Sequence, residues 1–221
     1  MSRKVLTIIL VFATSFILFS GCVVDGNVVR GQGDMESYDI SVDNFTGLSI
    51  SGNYELTIRQ APEFSVVLEI QENLFEFVEI SERDGTLYVR SARSLRTTLG
   101  NTPRLSVYAP YLDNFNFMGA LDADIDLHVE NLDINVAGAG DLTLSGSAEV
   151  LNITSAGAAN IEAFELTAAN AVVVVAGAGN VDIYATDTLD VRIDGVGNVR
   201  YAGNPQLTQN IFGVGVVERR N

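Results

Sequence analysis

Four segments, Gly138–Gly146 (GAGDLTLSG), Gly157–Glu165 (GAANIEAFE), Gly177–Ala185 (GAGNVDIYA) and Gly195–Gly203 (GVGNVRYAG), share one grammar. With Gly119, which opens a further copy, the leading glycines Gly119, Gly138, Gly157, Gly177 and Gly195 lie 19, 19, 20 and 18 residues apart. Three residues after each stand Asp122, Asp141, Asn160, Asn180 and Asn198, followed at once by Ala123, Leu142, Ile161, Val181 and Val199. A fixed period in this range marks a stacked repeat. An earlier copy is visible at Gly52-Asn53-Tyr54-Glu55-Leu56 and a degraded last one at Gly213-Val214-Gly215-Val216-Val217, so the repeat reaches from about Phe45 to the end.

Each slot has a physical reason. Runs of about five alternating residues, such as LDINV (132–136) and LDVRI (189–193), bury one face of a strand. Gly and Asn tolerate positive φ, so Gly-x-Gly-Asn is expected to supply a tight reversal between two strands. Because units of equal length follow one another, like strands of successive units lie side by side and parallel. The predicted fold is therefore all-β, a parallel β-solenoid (β-helix) with about 19 residues and two main strands per coil. Val, Ile and Leu form inward ladders, and the Asp/Asn slot forms an outward ladder whose amides bond along the stack. About nine coils at about 4.8 Å predict a rod about 40 to 45 Å long.

Phe64 to Leu112 departs from the period but still reads as strands (SVVLEI, FVEIS, TLYVRSA, RLSVYAP). Asp84-Gly85 has the signature of a hairpin turn, and Glu72–Phe75 that of one helical turn. The segment is expected to form either wider coils or an antiparallel cap that covers the end of the stack.

At the amino terminus Arg3 and Lys4 precede an apolar run, Val5–Phe19, and then Ser20, Gly21 and Cys22. These are the parts of a secretory signal peptide, and the run is shorter than the roughly 20 residues of a spanning helix. Leu18–Cys22 (LFSGC) resembles the lipobox of bacterial lipoproteins, which implies cleavage before Cys22 and a lipid on that residue. Phe19 replaces the Leu usual three positions before the Cys. Cleavage there removes Arg3 and Lys4 and leaves 11 basic against 28 acidic residues, a net charge of −17 instead of −15. Such a chain is held to a membrane by acyl groups, not by basic residues. The expected organisation is a signal peptide at 1–21, the lipidated Cys and a flexible tether at 22–44, and the domain at 45–221. SYDISVDNF (37–45) is a candidate first strand. Val23 lacks the Asp that commonly retains lipoproteins at an inner membrane, so the outer membrane is the expected address in a cell that has one.

The order FTGLSISGNYELTIRQAPEFSVVLEIQENL, DGTLYV, GAGDLTL, SAGAANIEAFEL, AGAGNVDIYA, DGVGNVRYAGNP and GVGVV resembles the putative auto-transporter adhesin, head GIN domain family. That resemblance implies an exported bacterial protein, often a lipoprotein, with a β-helix-like fold and an adhesive role. It supplies no catalytic residues.

Composition and spacing exclude several chemistries. An excess of 15 acidic charges opposes nucleic-acid binding. One Cys and one His rule out an internal disulfide, a Cys-rich zinc site and a His cluster. Gly138-x-Gly140 and Gly177-x-Gly179 lack the third Gly and the helix that dinucleotide binding needs. Calcium in the manner of Gly- and Asp-rich β-rolls is disfavoured, since one turn per coil carries the motif and three of the five ladder residues are Asn. Polysaccharide cleavage would need paired carboxylates, for which Asp122, Asp124, Asp126 and Asp141 are candidates, and His128 lacks an evident nucleophile and orienter. No cofactor or metal site is read. The expected partners are the membrane, through the N-terminal lipid, and a protein or glycan ligand, with Tyr184 and Tyr201 the available aromatic platforms in a chain without Trp.

Overall fold

The computed structural model describes residues 28–42 and 44–220. The expected signal peptide and Cys22 lie outside the described residues. The chain enters through β1 (Val28–Arg30), β2 (Met35–Ile40) and β3 (Gly47–Gln60). It then builds β4 (Ser65–Gln71), the four-residue helix α1 (Glu72–Phe75), β5 (Val78–Arg83), β6 (Thr86–Ser91), β7 (Ser94–Arg96) and β8 (Arg104–Ala109). From there it winds regularly through β9 (Asn114–Val136), β10 (Ala139–Ser155), β11 (Ala158–Val175), β12 (Ala178–Ile193), β13 (Val196–Gly203), β14 (Gln206–Ile211) and β15 (Val214–Arg219).

Strands β9 to β13 pair in parallel, each on the next, and β14 and β15 continue the stack in parallel on β12 and β13, as equal-length coils require. Within β9, alternation buries Leu121, Ala123, Ile125 and Leu127, breaks at exposed residues near Glu130, and resumes with Leu132, Ile134 and Val136. Each coil therefore has two faces separated by corners. Inward residues stack in columns such as Leu56–Ala123–Leu142–Ile161–Val181–Val199–Val217. On the opposite face the column is Ile134–Ile153–Val173–Val191. These columns are the core, and each buried Val or Ile side chain contributes about 1.5 to 3 kcal/mol relative to exposure. Ser155 breaks one column between Val136 and Val175, and its buried hydroxyl has no partner among the described residues.

The solenoid is as predicted, but it has about five coils of about 19 residues, not nine. The difference lies in Phe64–Leu112, which forms an antiparallel cap. Strands β6 and β8 continue the parallel stack on the two halves of β3. Next to them polarity reverses, with β5 antiparallel to β6, β4 to β8 and β2 to β4. Along the first face ten strands still stack in succession, so the rod is about 43 Å long. Asp84 and Gly85 both take positive φ (50° and 73°) in the β5–β6 turn, the primed geometry of a two-residue hairpin. The stretch 22–44, expected as tether, is corrected in part: β1 pairs with β7 and β2 with β4, because Val29, Tyr38 and Ile40 have apolar surface to bury.

The reason for the turn glycines also differs from the expectation. Asn160, Asn180 and Asn198 lie within strands, and Gly138, Gly157, Gly177 and Gly195 sit at the bends just before strands without a left-handed φ; only Gly119 of the leading glycines has one, 131°. What requires glycine is the coil beneath. The Gly138 carbonyl accepts the N–H of Ala158 at 2.8 Å, and a methyl group on Gly157 would lie 1.7 Å from that same oxygen. The contact recurs at 1.9 Å for Gly177 on Gly157, Gly195 on Gly177 and Gly213 on Gly195. The axial hydrogen bond at this corner and a side chain there exclude each other. Gly157→Ala is expected to lower stability by about 3 kcal/mol in urea unfolding, an overpacking cost without a flexible neighbour to yield. Ala139→Ser, on the exposed neighbouring position, should stay within about 0.5 kcal/mol of the parent.

Candidate functional site

The outward residues of the first face form straight columns because the register advances by one whole coil. The principal column runs Glu69, Arg104, Glu55, Asp122, Asp141, Asn160 and then, through their amide bonds, Asn180 and Asn198. Asn160 donates Nδ2–H to Oδ1 of Asp141 at 2.9 Å. Asn180 donates to Asn160 and Asn198 to Asn180, each at 3.2 Å. The Val216 N–H closes the series on Asn198 Oδ1 at 3.2 Å. Every amide points its donor the same way, so the row is polarised toward the Asp141 carboxylate, whose charge strengthens the first bond. Asp122 stacks in register between Glu55 and Asp141, and its carboxylate joins no hydrogen bond among the described residues.

Beside this column lies a second one, Thr57–Asp124–Thr143–Glu162–Asp182–Arg200–Glu218. Arg59 reaches across to Asp124 at 2.5 Å and also donates to the Asp124 carbonyl at 3.0 Å. Arg200 grips the nearly buried Asp182 with two donors, and Arg104 bridges Glu55 and Glu69 at 3.2 and 2.9 Å. The hydrogen bonds to Asp124, Glu69 and Asp182 raise the already high pKa values of Arg59, Arg104 and Arg200, so these three stay cationic. Of the carboxylates considered for cleavage, Asp124 is thus neutralised by Arg59 and Asp141 accepts the first amide of the ladder, while Asp122 stands in the same column without a side-chain partner among the described residues.

Two concave places flank the face. At the junction with the cap, a recess of about 650 Å³ is lined by Ser51, Tyr54, Ser91, Arg93, Leu95 and Met118, among others. Burial raises the Tyr54 pKa, with the hydrogen bond shared with Ser91 working the other way, so its hydroxyl remains protonated. At the opposite corner, Asp126 and His128 border a shallower depression of about 420 Å³ with Arg59 and Gln60. Here the structure brings together what sequence reasoning missed: His128 Nδ1 lies 3.0 Å from Ser147 Oγ on the next coil. The repeat period was the available signal, since Ser147 follows His128 by 19 residues. No carboxylate orients this imidazole among the described residues, and the pair is exposed, so it lacks the third member that activates a serine. Tyr184 and Tyr201 are half-buried on the flank. No group of three or more metal-ligating side chains is present among the described residues.

The ladder generates a test. Asn180→Ala removes two amide bonds at an exposed position, so the loss is expected to be about 1 kcal/mol, read as a lower urea midpoint at unchanged slope. An unchanged midpoint would show that the amide row follows the coil without holding it.

Residues 44–205 match the family described as putative auto-transporter adhesin, head GIN domain. Among solved structures, a putative adhesin from Bacteroides fragilis is 22% identical, with a TM-score of 0.70 over 87% of this chain and 100% of that one. A putative adhesin from Parabacteroides distasonis is 20% identical, with a TM-score of 0.50 over 88% and 100%. At such identities the likeness shows the fold. No curated protein is significantly similar to the chain. With nearly three quarters of its residues within the match and the same stacked coils, this chain belongs to the head GIN domain family of putative auto-transporter adhesins.

Proposed function

We propose that this chain is a non-catalytic surface-interaction module, lipid-anchored at Cys22 on the outer side of the cytoplasmic membrane, and on the outer membrane where there is one. The observation that carries the reading is the face itself. Asp124 is paired with Arg59, Asp182 with Arg200 and Asp141 with the amide ladder, and the unpaired Asp122 stands in the same flat column, whereas a glycosidase holds two carboxylates across a cleft. A flat array of like side chains along the rod offers many weak contacts in register with an extended partner. Membership in an adhesin family agrees with a place at the cell surface. The charge directs the choice of ligand toward neutral or basic proteins and glycans, because an acidic rod repels anionic ones.

Cys22 stands six residues before Val28, where β1 begins. Six residues span at most about 20 Å, so an acyl group there keeps the capped end of the rod next to the bilayer and turns the last coil outward. Anchoring is tested by growth with an alkyne palmitate analogue: label on the parent chain and none on Cys22→Ala is expected, and equal labelling of both would remove the anchor. The non-catalytic reading is tested by incubating the chain with a panel of polysaccharides and assaying for new reducing or unsaturated ends. Binding without cleavage is expected. Cleavage lost in Asp122→Asn or Asp141→Asn would assign the face to polysaccharide breakdown instead.

A further inference from the structure

The two ends of the rod are built differently. At the cap end the outermost strands carry charges along their length: Glu36 and Asp39 in β2, and Glu79, Glu82 and Arg83 in β5. Such charges blunt an edge against pairing. At the other end the last strands are β14 (QLTQNI), which has no charged residue, and β15 (VGVVER), charged only in its last two positions. Among the described residues β14 pairs only with β12 and β15 only with β13, so each has a free edge. Among the described residues the inner columns end here without a lid, on Leu207, Gln209, Ile211 and Val217. Phe212, Val214, Val196 and Val216 are 73, 69, 58 and 53% exposed at the same end. Residues 206–221 contain one acid and two arginines, a net charge of +1 in a chain of −15.

We propose that this end docks onto the same end of a second copy of the chain. Because the coil climbs as it turns, β15 on the first face stands one strand spacing, about 4.8 Å, above β14 on the second. A flat partner leaves one of the two edges unpaired. An inverted copy carries the same step, and a two-fold axis parallel to the strands seats its β15 on this β14 and its β14 on this β15. The chain runs in opposite directions on the two faces, so both new pairs are antiparallel, and each joins two six-residue strands. Inward residues meet inward residues, and the two cores become continuous. The contact is isologous and uses both free edges at once, so it closes at two copies, while the charged cap ends do not extend it.

This arrangement gives the adhesive module a partner, and to that extent it rests on the anchored reading above. The two caps, and with them any two acyl groups, lie at opposite ends of a double rod about 85 Å long. Such a dimer joins two facing membranes; it does not fit two molecules anchored side by side in one.

Gln209 supplies the decisive variant. It is exposed in the single chain and faces inward at the proposed junction, so Gln209→Lys spares the monomer but buries an unpaired charge in the dimer. The full chain, in density-matched detergent with micelles in excess, is expected to sediment at twice its monomer mass. Gln209→Lys should weaken that association by about tenfold or more, with a thermal midpoint unchanged from the parent's once both are diluted to monomer, and Glu36→Gln at the cap end should leave it intact. A parent chain that stays monomeric or forms open-ended assemblies would overturn the proposal, and so would a Gln209→Lys variant that dimerises as well as the parent. The acylated chain is then reconstituted into phosphatidylcholine vesicles, where clustering that Gln209→Lys abolishes is expected. Vesicles that carry the chain yet stay dispersed would overturn the facing-membrane arrangement. Vesicles that fail to retain it would instead remove the anchor, with the sedimentation result still judging the junction.

Discussion

Everything in this molecule depends on hydrogen bonding along the rod axis at a nearly constant interval. A coil of about 19 residues is stable only if each backbone N–H and C=O meets its counterpart on the coils above and below, since an unpaired buried group costs about as much as a lost hydrogen bond. That demand is most severe at the corner, where the carbonyl of one glycine accepts the N–H from the following coil at 2.7 to 2.9 Å. The same oxygen occupies the place that a Cβ would need. At Gly157, Gly177, Gly195 and Gly213 the glycine is therefore dictated by its neighbour in the stack and not by its own dihedral angles.

This explains which parts of the structure were legible in sequence. Period, ladders and the parallel solenoid could be read because every coil answers to the same constraint and so repeats the same residues. Counting places Asp122, Asp141, Asn160, Asn180 and Asn198 in one row, and the row exists as amide bonds from Asp141 onward, with the Asp122 carboxylate in register but outside them. The same counting, applied to every outward position, reaches Asn152 on Asp133 at 2.6 Å, Thr188 on Asn170 at 2.8 Å and Arg200 on Asp182. What resisted was whatever has no period. Phe64–Leu112 holds nearly fifty residues in strands whose polarity reverses, and chain length alone converts these into coils that do not exist. Arg59 crosses to Asp124 of a different column, a contact that needs side-chain reach as well as register.

Repetition also shapes the chemistry open to the surface. A catalytic site brings unlike groups together with perturbed environments, usually where elements of different kind meet. A solenoid face sets like groups above like groups, and here the charges of Glu55, Glu69, Asp124, Asp141 and Asp182 are met locally by three arginines and a relay of amides. The departures from repetition lie at the junction with the cap, which makes the recess beside Tyr54 and Arg93, and at the corner that carries His128. A specific ligand would find its distinctive contacts at those interruptions, with the ladder face adding area.

The ends pose the problem that a repeat cannot solve from within. Any stack of parallel coils terminates in edges with the hydrogen-bonding capacity of a full coil, and a new layer can satisfy them only by changing polarity or by belonging to another chain. At the amino-terminal end the change of polarity is achieved by hairpins: β4 and β5 run antiparallel to their neighbours, and charged edge strands end the stack. At the carboxy-terminal end the repeat fades without reversing, as Val216 replaces the ladder Asn and Gln209 enters an apolar column. Sequence drift of this kind weakens the demand for another identical coil, but it leaves the backbone edge open. One end is thus finished within the chain, and the other retains the means to pair.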